Sequence, residues 1–254
     1  MPSLKELVTR LDDVLQTRFY KDASLNGLQV EACEEVKHVA VAVDGRLSTF
    51  QKAVELGADL LIVHHGLFWG RSEALVGPHL KRIRTLLDGK LSLYASHLPL
   101  DGHEEYGNNV ELARALGLEE IEAWSEYKGQ VIGRKGRFPE PFSIDELQER
   151  LTSVLKDVDG TVMRYGQGRS QVQTVGIVTG DASQDFLTAA RDGLDVFITG
   201  EPNHIFAAPA DEWDTWMLCG GHYATETFGV RAVGRWLEEE FGVKVSFVHA
   251  PTFS

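Results

Sequence analysis

The sequence predicts an α/β protein that is built from two similar lobes. Short apolar runs alternate with segments of helical period, which is the order that builds parallel sheets from strand–helix–strand units. Residues 38–43 and 59–63 flank one such helical segment, and nearly every position in both runs is apolar, as in strands covered on both faces. Residues 175–201 then align without a gap on residues 39–65, at an offset of 136.

The repeated unit also includes the helix that precedes each pair of strands. Residues 3–15 open with a serine and a glutamate in the spacing of a capping box, and residues 143–155 open in the same way. Helix–strand–helix–strand order is therefore predicted twice. Internal duplication and a shared architecture without duplication both account for this repetition.

Further elements are predicted around the two units. A proline- and glycine-rich stretch around residues 136–142 is interpreted as the junction between the lobes. In chain order, the other predictions are a strand at 90–96, a polar loop at 97–109, helices at 110–116 and 223–241, and a strand at 243–248.

Composition excludes several classes of function. The chain has 254 residues, of which 43% are hydrophobic, enough for a core without disulfides. A net charge of −13 repels phosphate backbones, so we expect no long nucleic-acid partner. Two cysteines, Cys33 and Cys219, cannot build a disulfide framework or a zinc ribbon. With no secretory core and no stretch of membrane-spanning length, we expect a cytoplasmic protein without a membrane partner.

The first candidate ligands are His64 and His65, which directly follow the run 59–63. Active sites of open α/β sheets lie at the carboxyl ends of strands. A regular strand aims neighbouring side chains at opposite faces, but a pleat that relaxes into a loop lets the pair serve two adjacent ions. The alternative interpretation is a pair of solvent-facing or capping histidines.

A second cluster follows the strand predicted at 90–96. His97, Asp101 and His103 place imidazole and carboxylate groups at the end of another strand. A polar turn around Pro99 and Asp101 explains the same residues without a metal.

The third cluster is His222 and Glu226. If a helix begins at His222, the spacing of four places both side chains on one face, and the helix dipole favours a carboxylate near that end. Thr225 is also a good N-cap, which would leave His222 in the preceding loop. In that case the pair is a capping carboxylate and a surface histidine.

Together the clusters offer a donor set that suits a dinuclear site. Three imidazoles and two carboxylates without a thiolate fit two hard or borderline divalent ions that share one carboxylate. The members of this set are His64, His65, Asp101, His222 and Glu226.

The motifs resemble those of the YbgI-like, Nif-three-like proteins, which are often labelled GTP cyclohydrolase type 2 homologues. The matching segments run from near the start of the chain to its C-terminal region, and HHGLFW and HYATE are the most specific of them. They are NGLQV at 26–30, LLIVHHGLFW at 60–69, SHLPLD at 96–101, GNN at 107–109, TGE at 199–201 and HYATE at 222–226. The resemblance implies two α/β lobes around a dinuclear metal cleft and a toroidal homohexamer.

The resemblance also implies roles for individual residues. His65 and Asp101 would hold one ion, His64 and His222 the other, and Glu226 would bridge, with Zn, Fe or Mn as the two ions. His97 matches a pocket histidine next to the metals. Leu67 stands where members of the family often have proline, which need not affect ligation. At 254 residues the chain is similar to the short form of the family.

The internal repeat extends the site to a second strand end. Glu201 occupies the position of His65 at the offset of 136, so Glu201 and His204 are candidates for a supporting role. A turn carboxylate after a buried strand is the alternative. We expect the first lobe at residues 1–125, with 222–254 packing back near the metal cleft, and the second lobe at 126–221.

Two hypotheses for function follow. In the first, a hydroxide held between two ions attacks a nucleotide-like or other small substrate, and the catalytic residue His97 acts as general acid or base or orients the substrate. By the resemblance, that reaction is of the GTP cyclohydrolase type 2 kind. In the second, the protein is a non-enzymatic metal-binding scaffold or regulatory protein that interacts with other proteins.

Overall fold

The structure is a computed structural model that describes residues 1–252. It divides into two compact units. The first is Met1–Leu100 with Gly229–Ala250, and the second is Asp101–Phe228 with Pro251 and Thr252. The prediction set the boundaries at residues 125 and 221, whereas the units change over at 100/101 and 228/229. The segment after residue 100 belongs to the second unit because its strand at 119–127 pairs with the strand that follows it.

Strands and helices alternate along most of the described chain, as the sequence predicted. The strands are β1 Gly27–Val30, β2 His38–Asp44, β3 Leu60–His65, β4 Ser92–Ala95, β5 Glu119–Tyr127, β6 Gln130–Ser143, β7 Met163–Tyr165, β8 Gln171–Ile177, β9 Val196–Thr199, β10 Trp216–Cys219 and β11 Lys244–Phe247. The helices are α1 Leu4–Leu15, α2 Leu47–Glu55, α3 Gly77–Asp88, α4 Leu98–Asp101, α5 Asn108–Leu116, α6 Ile144–Leu155, α7 Phe186–Arg191, α8 His204–Ala207, α9 His222–Thr225 and α10 Thr227–Phe241.

The first unit contains a sheet in the order β1-β4-β3-β2-β11. β2, β3, β4 and β11 are parallel, and β1 pairs antiparallel with β4 at one edge. The central strands are buried along almost their whole length, which explains why they read as continuous apolar runs. One core cluster joins them to a helix, since Phe50 of α2 is buried with Leu61 of β3 and Leu93 of β4.

The second unit repeats this arrangement. Its sheet has the order β5-β6-β8-β9-β10-β7, in which β8, β9 and β10 are parallel and β7 pairs antiparallel with β10. The series α6, β7, β8, α7, β9, α8, β10 thus reproduces α1, β1, β2, α2, β3, α3, β4, down to the antiparallel edge strand. The prediction of two similar α/β lobes is confirmed.

The predicted junction at 136–142 is wrong. These residues lie inside β6, and Phe138 is fully buried there. Proline can occupy a strand where its nitrogen is not needed as a donor, typically at a bulge. The register between β6 and β8 shifts between Arg137 and Phe142, across both prolines of the segment.

The predicted helix at 223–241 is two helices. α9 ends at Thr225 and α10 starts at Thr227, so Glu226 lies at the break with φ −98° and ψ 6°. The capping-box prediction at the start of α6 is confirmed, because the hydroxyl of Ser143 accepts from the backbone N–H of Glu146 and the Glu146 carboxylate accepts from the backbone N–H of Ser143.

Replacing Ser143 by Ala should therefore lower the free energy of unfolding by about 1 kcal/mol, since the first turn of α6 loses its cap. Urea denaturation of the full chain measures the change. Ser153→Ala makes the same substitution at an exposed position of the same helix and should leave stability almost unchanged. Equal effects of the two substitutions would contradict the capping role.

Candidate metal centre

Three histidines of the first unit meet at the carboxyl ends of two neighbouring strands. His64 and His65 are the last residues of β3, and His97 follows β4, which lies parallel beside β3. The ring centroid of His64 lies 4.6 Å from that of His65 and 5.0 Å from that of His97. One ligand nitrogen from each of the three rings lies within 4.8 Å of the other two, so this group could hold a metal ion.

Hydrogen bonds determine which nitrogen of each ring carries the lone pair. Nδ1 of His64 lies 2.9 Å from the backbone oxygen of Ser96, and Nδ1 of His65 lies 2.8 Å from Oδ1 of Asp44. Carbonyl and carboxylate oxygens only accept, so the proton of each neutral ring is on Nδ1 and the lone pair is on Nε2. Metal-binding histidines in proteins are held in this way. The donor chemistry of the cluster therefore fits a divalent ion.

Asp22 holds the third ring in the same manner, and sequence reasoning missed it. Its carboxylate, only 3% exposed, lies 3.0 Å from Nδ1 of His97 and also accepts from the backbone N–H of Leu98. Burial alone would raise the pKa of Asp22, but the hydrogen bond and charge of His97, with further donors, hold it well below the usual range. Its position four residues before the NGLQV segment was the available signal.

Asp44 was also missed, although its position could have been found. It is the last residue of β2, and its register partner across the parallel pair is His65. An aspartate that ends an apolar run beside a strand ending in histidine is a detectable pattern. The structure shows that this carboxylate accepts the hydrogen bond from the His65 ring.

The turn after His65 needs a glycine. A Cβ on Gly66 would collide with the side chain of Gln29 and lie 2.6 Å from that of Ala95. Gln29 stabilises this turn, because its Oε1 accepts from the backbone N–H of Leu67 at 2.7 Å. The Gly66 carbonyl accepts from Nε1 of Trp69, whose ring lies edge-on to His97 with centroids 5.1 Å apart.

In the second unit, His222 lies between two carboxylates. Its Nδ1 is 2.6 Å from Oε1 of Glu201, and its Nε2 is 3.2 Å from Oε2 of Glu226. Burial lowers the pKa of His222, but the charges and hydrogen bonds of Glu226 and Glu201 outweigh it and raise that pKa to about 10. The structure thus brings Glu201 to the ring of a predicted ligand, in a supporting position.

The start of α9 decides between the two interpretations of this segment. His222 is the first residue of the helix and Gly221, at φ 91°, is its N-cap. Thr225 lies inside the helix, and its hydroxyl donates to the backbone oxygen of Gly221. The alternative with Thr225 as N-cap is therefore wrong, and the spacing of four does bring His222 and Glu226 together.

The other predicted residues of the second unit have different surroundings. Asp101 is buried at the end of α4, and its Oδ1 accepts from Nδ2 of Asn108 at 2.9 Å. His103 accepts through Nδ1 from the backbone N–H groups of Glu105 and Tyr106, which is turn chemistry. His204 is exposed at the first residue of α8.

Gly180 is a further residue of this site that sequence reasoning missed. It follows β8 at φ +72°, and a Cβ there would collide with a carboxylate oxygen of Glu226 and lie 3.4 Å from Nε2 of His222. At the offset of 136 it occupies the position of Asp44. The absence of a side chain at Gly180 therefore gives the Glu226 carboxylate its space.

Two α/β units with histidines and carboxylates at their strand ends are characteristic of a protein that can bind metal ions. The profile of the Duf34/NIF3 (NGG1p interacting factor 3) family matches residues 2–252. The chain belongs to the Duf34/NIF3 family.

Curated relatives and solved structures are similar over nearly the whole chain. The proteins named GTP cyclohydrolase 1 type 2 homolog from Deinococcus radiodurans and Pyrococcus abyssi are 40% and 42% identical, covering 97% and 98% of this chain and 93% and 98% of their own. A structure described as protein ybgI, of unknown function, has a TM-score of 0.90 at 34% identity, and one from Thermus thermophilus has 0.88 at 42%. Each covers 99% of both chains.

Within residues 1–252, no helix combines the length and the apolar character that crossing a membrane requires.

Replacing Gly180 by Ala should weaken metal retention by about 10- to 100-fold, because a methyl group there displaces the carboxylate of Glu226. Elemental mass spectrometry after gel filtration measures the retained metal. Gly193→Ala is the matched control, since Gly193 has φ +71° but nothing within 4 Å of its Cβ position. Equal loss in the two variants would attribute the effect to backbone strain and contradict the steric argument.

Proposed function

We propose that the protein is a metal-dependent hydrolase that binds two divalent ions and acts on a nucleotide-like or other small substrate. The observation that carries this proposal is the cluster of His64, His65 and His97. Each ring has Nδ1 bonded to an oxygen acceptor, and one ligand nitrogen from each ring lies within 4.8 Å of the others. In this proposal His64 and His65 of the cluster would be ligands, and His97 would be the general acid or base beside them.

In this proposal the ligands are those of the sequence analysis. His65 and Asp101 would hold one ion, His64 and His222 would hold the other, and Glu226 would bridge. Imidazole and carboxylate donors without a thiolate favour Zn, Fe or Mn over copper(I). Further support comes from the groups behind the ligands, because Asp44, Glu201 and Asn108 orient His65, His222 and Asp101 respectively.

The proposed hydrolysis combines the chemistry of the two ions with proton transfer by His97. Two divalent ions, when bound, would lower the pKa of a water ligand towards neutrality and polarise a phosphoryl or carbonyl oxygen. His97 would take a proton from the attacking nucleophile and return it to the leaving group. Trp69 packs edge-on against the His97 ring and limits its movement.

The substrate class rests on the relatives. Proteins about 40% identical over nearly the full length carry the name GTP cyclohydrolase 1 type 2 homolog. A nucleotide-like substrate with a hydrolysable phosphoester or purine ring is therefore the first to test. The acidic chain, with a net charge of −13, favours a small substrate over a long nucleic acid.

Replacing His97 by Ala should abolish hydrolysis while metal content stays at the wild-type level. The expected loss in kcat is about 10²- to 10⁴-fold, the usual contribution of a general acid or base. The assay uses GTP and p-nitrophenyl phosphate with protein loaded separately with Zn, Mn and Fe(II), and elemental mass spectrometry reports the metal. His204→Ala removes an exposed histidine of α8 and serves as the control.

Each outcome of this experiment is informative. Unchanged hydrolysis in His97→Ala would remove His97 from the mechanism, and lost metal would make it a ligand. Wild-type protein that holds metal but turns over neither substrate would contradict the hydrolase and favour the metal-binding scaffold.

We also propose that the chain assembles into a toroidal homohexamer, as its motifs imply. Light scattering coupled to gel filtration should give about six times the 28.2 kDa chain mass. A monomeric mass at micromolar concentration would contradict this proposal.

A further inference from the structure

We infer that Asp22 is a positioning residue that locks His97 in the tautomer with its proton on Nδ1, so that Nε2 is the atom that takes up a proton. The tautomer itself depends only on the first unit. Its kinetic consequence rests on the proposed hydrolase.

Asp22 is surrounded by hydrogen-bond donors. Its Oδ1 accepts from the backbone N–H of Ser24 at 3.0 Å, and its Oδ2 accepts from Nδ2 of Asn26 and from the backbone N–H of Leu98, both at 3.0 Å. Nδ1 of His97 lies 3.0 and 3.1 Å from the two carboxylate oxygens. The N–H groups of Ser24, Asn26 and Leu98 are all donors and cannot accept a hydrogen bond from the carboxyl group. The carboxylate must therefore stay ionised to satisfy them, and it can only accept from the His97 ring.

His97 makes two further contacts that do not involve Asp22. The backbone N–H of His97 donates to Oδ1 of Asn26 at 2.8 Å, and the ring packs edge-on against Trp69. A substitution at residue 22 leaves these two contacts in place. It therefore changes the acceptor that faces the ring proton rather than the placement of the ring. This separates a tautomer lock from a role in packing alone.

An amide at residue 22 would reverse the polarity of one contact. Asn presents one oxygen and one NH₂ group, and the oxygen satisfies more donors at the Oδ2 position, where Asn26 and Leu98 both donate. The NH₂ group then lies at the Oδ1 position, 3.0 Å from Nδ1 of His97. The ring of His97 is the partner that can adapt, because it can move its proton to Nε2 and accept at Nδ1. Asp22→Asn should then leave Nε2 of His97 as a donor, unable to take a proton from the nucleophile.

Asp44 supplies the matched control. It holds Nδ1 of His65 at 2.8 Å, as Asp22 holds Nδ1 of His97 at 3.0 Å, but His65 is a proposed metal ligand. Asp44→Asn should therefore disturb the His65 ring and reduce metal retention, while the His97 ring keeps its wild-type tautomer. Asp22→Asn should change the tautomer of His97 while the His65 ring and metal retention stay as in the wild type.

Solid-state NMR of the full-length, metal-free protein with isotope-labelled histidine reads the tautomers directly. The His97 signals are those lost in His97→Gln, and alkaline pH keeps ordinary imidazoles neutral. We expect the Nδ1–H form of His97 in the wild type and in Asp44→Asn, and the Nε2–H form in Asp22→Asn. A wild-type His97 that is Nε2–H or doubly protonated would overturn the inference without any variant. An unchanged His97 tautomer in Asp22→Asn would also overturn it.

Kinetics then test the consequence. With a substrate that the wild type hydrolyses, Asp22→Asn should lower kcat by about 10²-fold or more while KM and metal content change little. A wild-type kcat in Asp22→Asn would contradict the positioning role. If the wild type hydrolyses no substrate, the proposed hydrolase fails, but the tautomer spectra still decide the structural half of the inference.

Discussion

The hydrogen bond from a histidine Nδ1 to an oxygen acceptor is the interaction on which the candidate site depends. It recurs four times, because His64, His65, His97 and His222 face Ser96, Asp44, Asp22 and Glu201. Each acceptor orients its ring through Nδ1, which is how metal-binding histidines are held in proteins. The parallel sheet of the first unit makes two of these bonds possible, since it places the ends of β2, β3 and β4 side by side.

The internal repeat explains how two lobes of one architecture contribute different chemistry. Asp44 and His65 of the first unit correspond to Gly180 and Glu201 of the second at the offset of 136. In the first unit the Asp44 carboxylate lies behind the His65 ring. In the second unit Gly180 has no side chain, and Glu201 supplies a carboxylate at the position of His65. The empty space accommodates Glu226, and the carboxylate of Glu201 contacts His222. The strand ends are thus retained while their side chains differ.

The hydrophobic periodicity of the chain was sufficient to predict the two α/β lobes. The imidazole and carboxylate side chains at predicted strand ends were sufficient to select the candidate ligands. Buried parallel strands and capped helices have local signatures, so β2, β3, α1 and α6 could be predicted closely. Asp22 could not, because its role depends on a contact with His97, 75 positions away, that no local period encodes. The strand β6 was misread since two prolines suggested a junction, whereas pairing with β8 tolerates them at a register shift. The break between α9 and α10 at Glu226 could not be predicted either, because no glycine or proline lies at that position.

Metal content per chain tests the account most directly. Protein purified without chelator or histidine tag is measured by elemental mass spectrometry beside Glu226→Gln, with Glu239→Gln, an exposed position of α10, as the control. The account predicts two divalent ions per chain in the wild type and in Glu239→Gln. It predicts loss of most of the metal in Glu226→Gln, which removes the charge of the carboxylate that is proposed to bridge them. A wild-type chain that is metal-free and cannot be reloaded would contradict it.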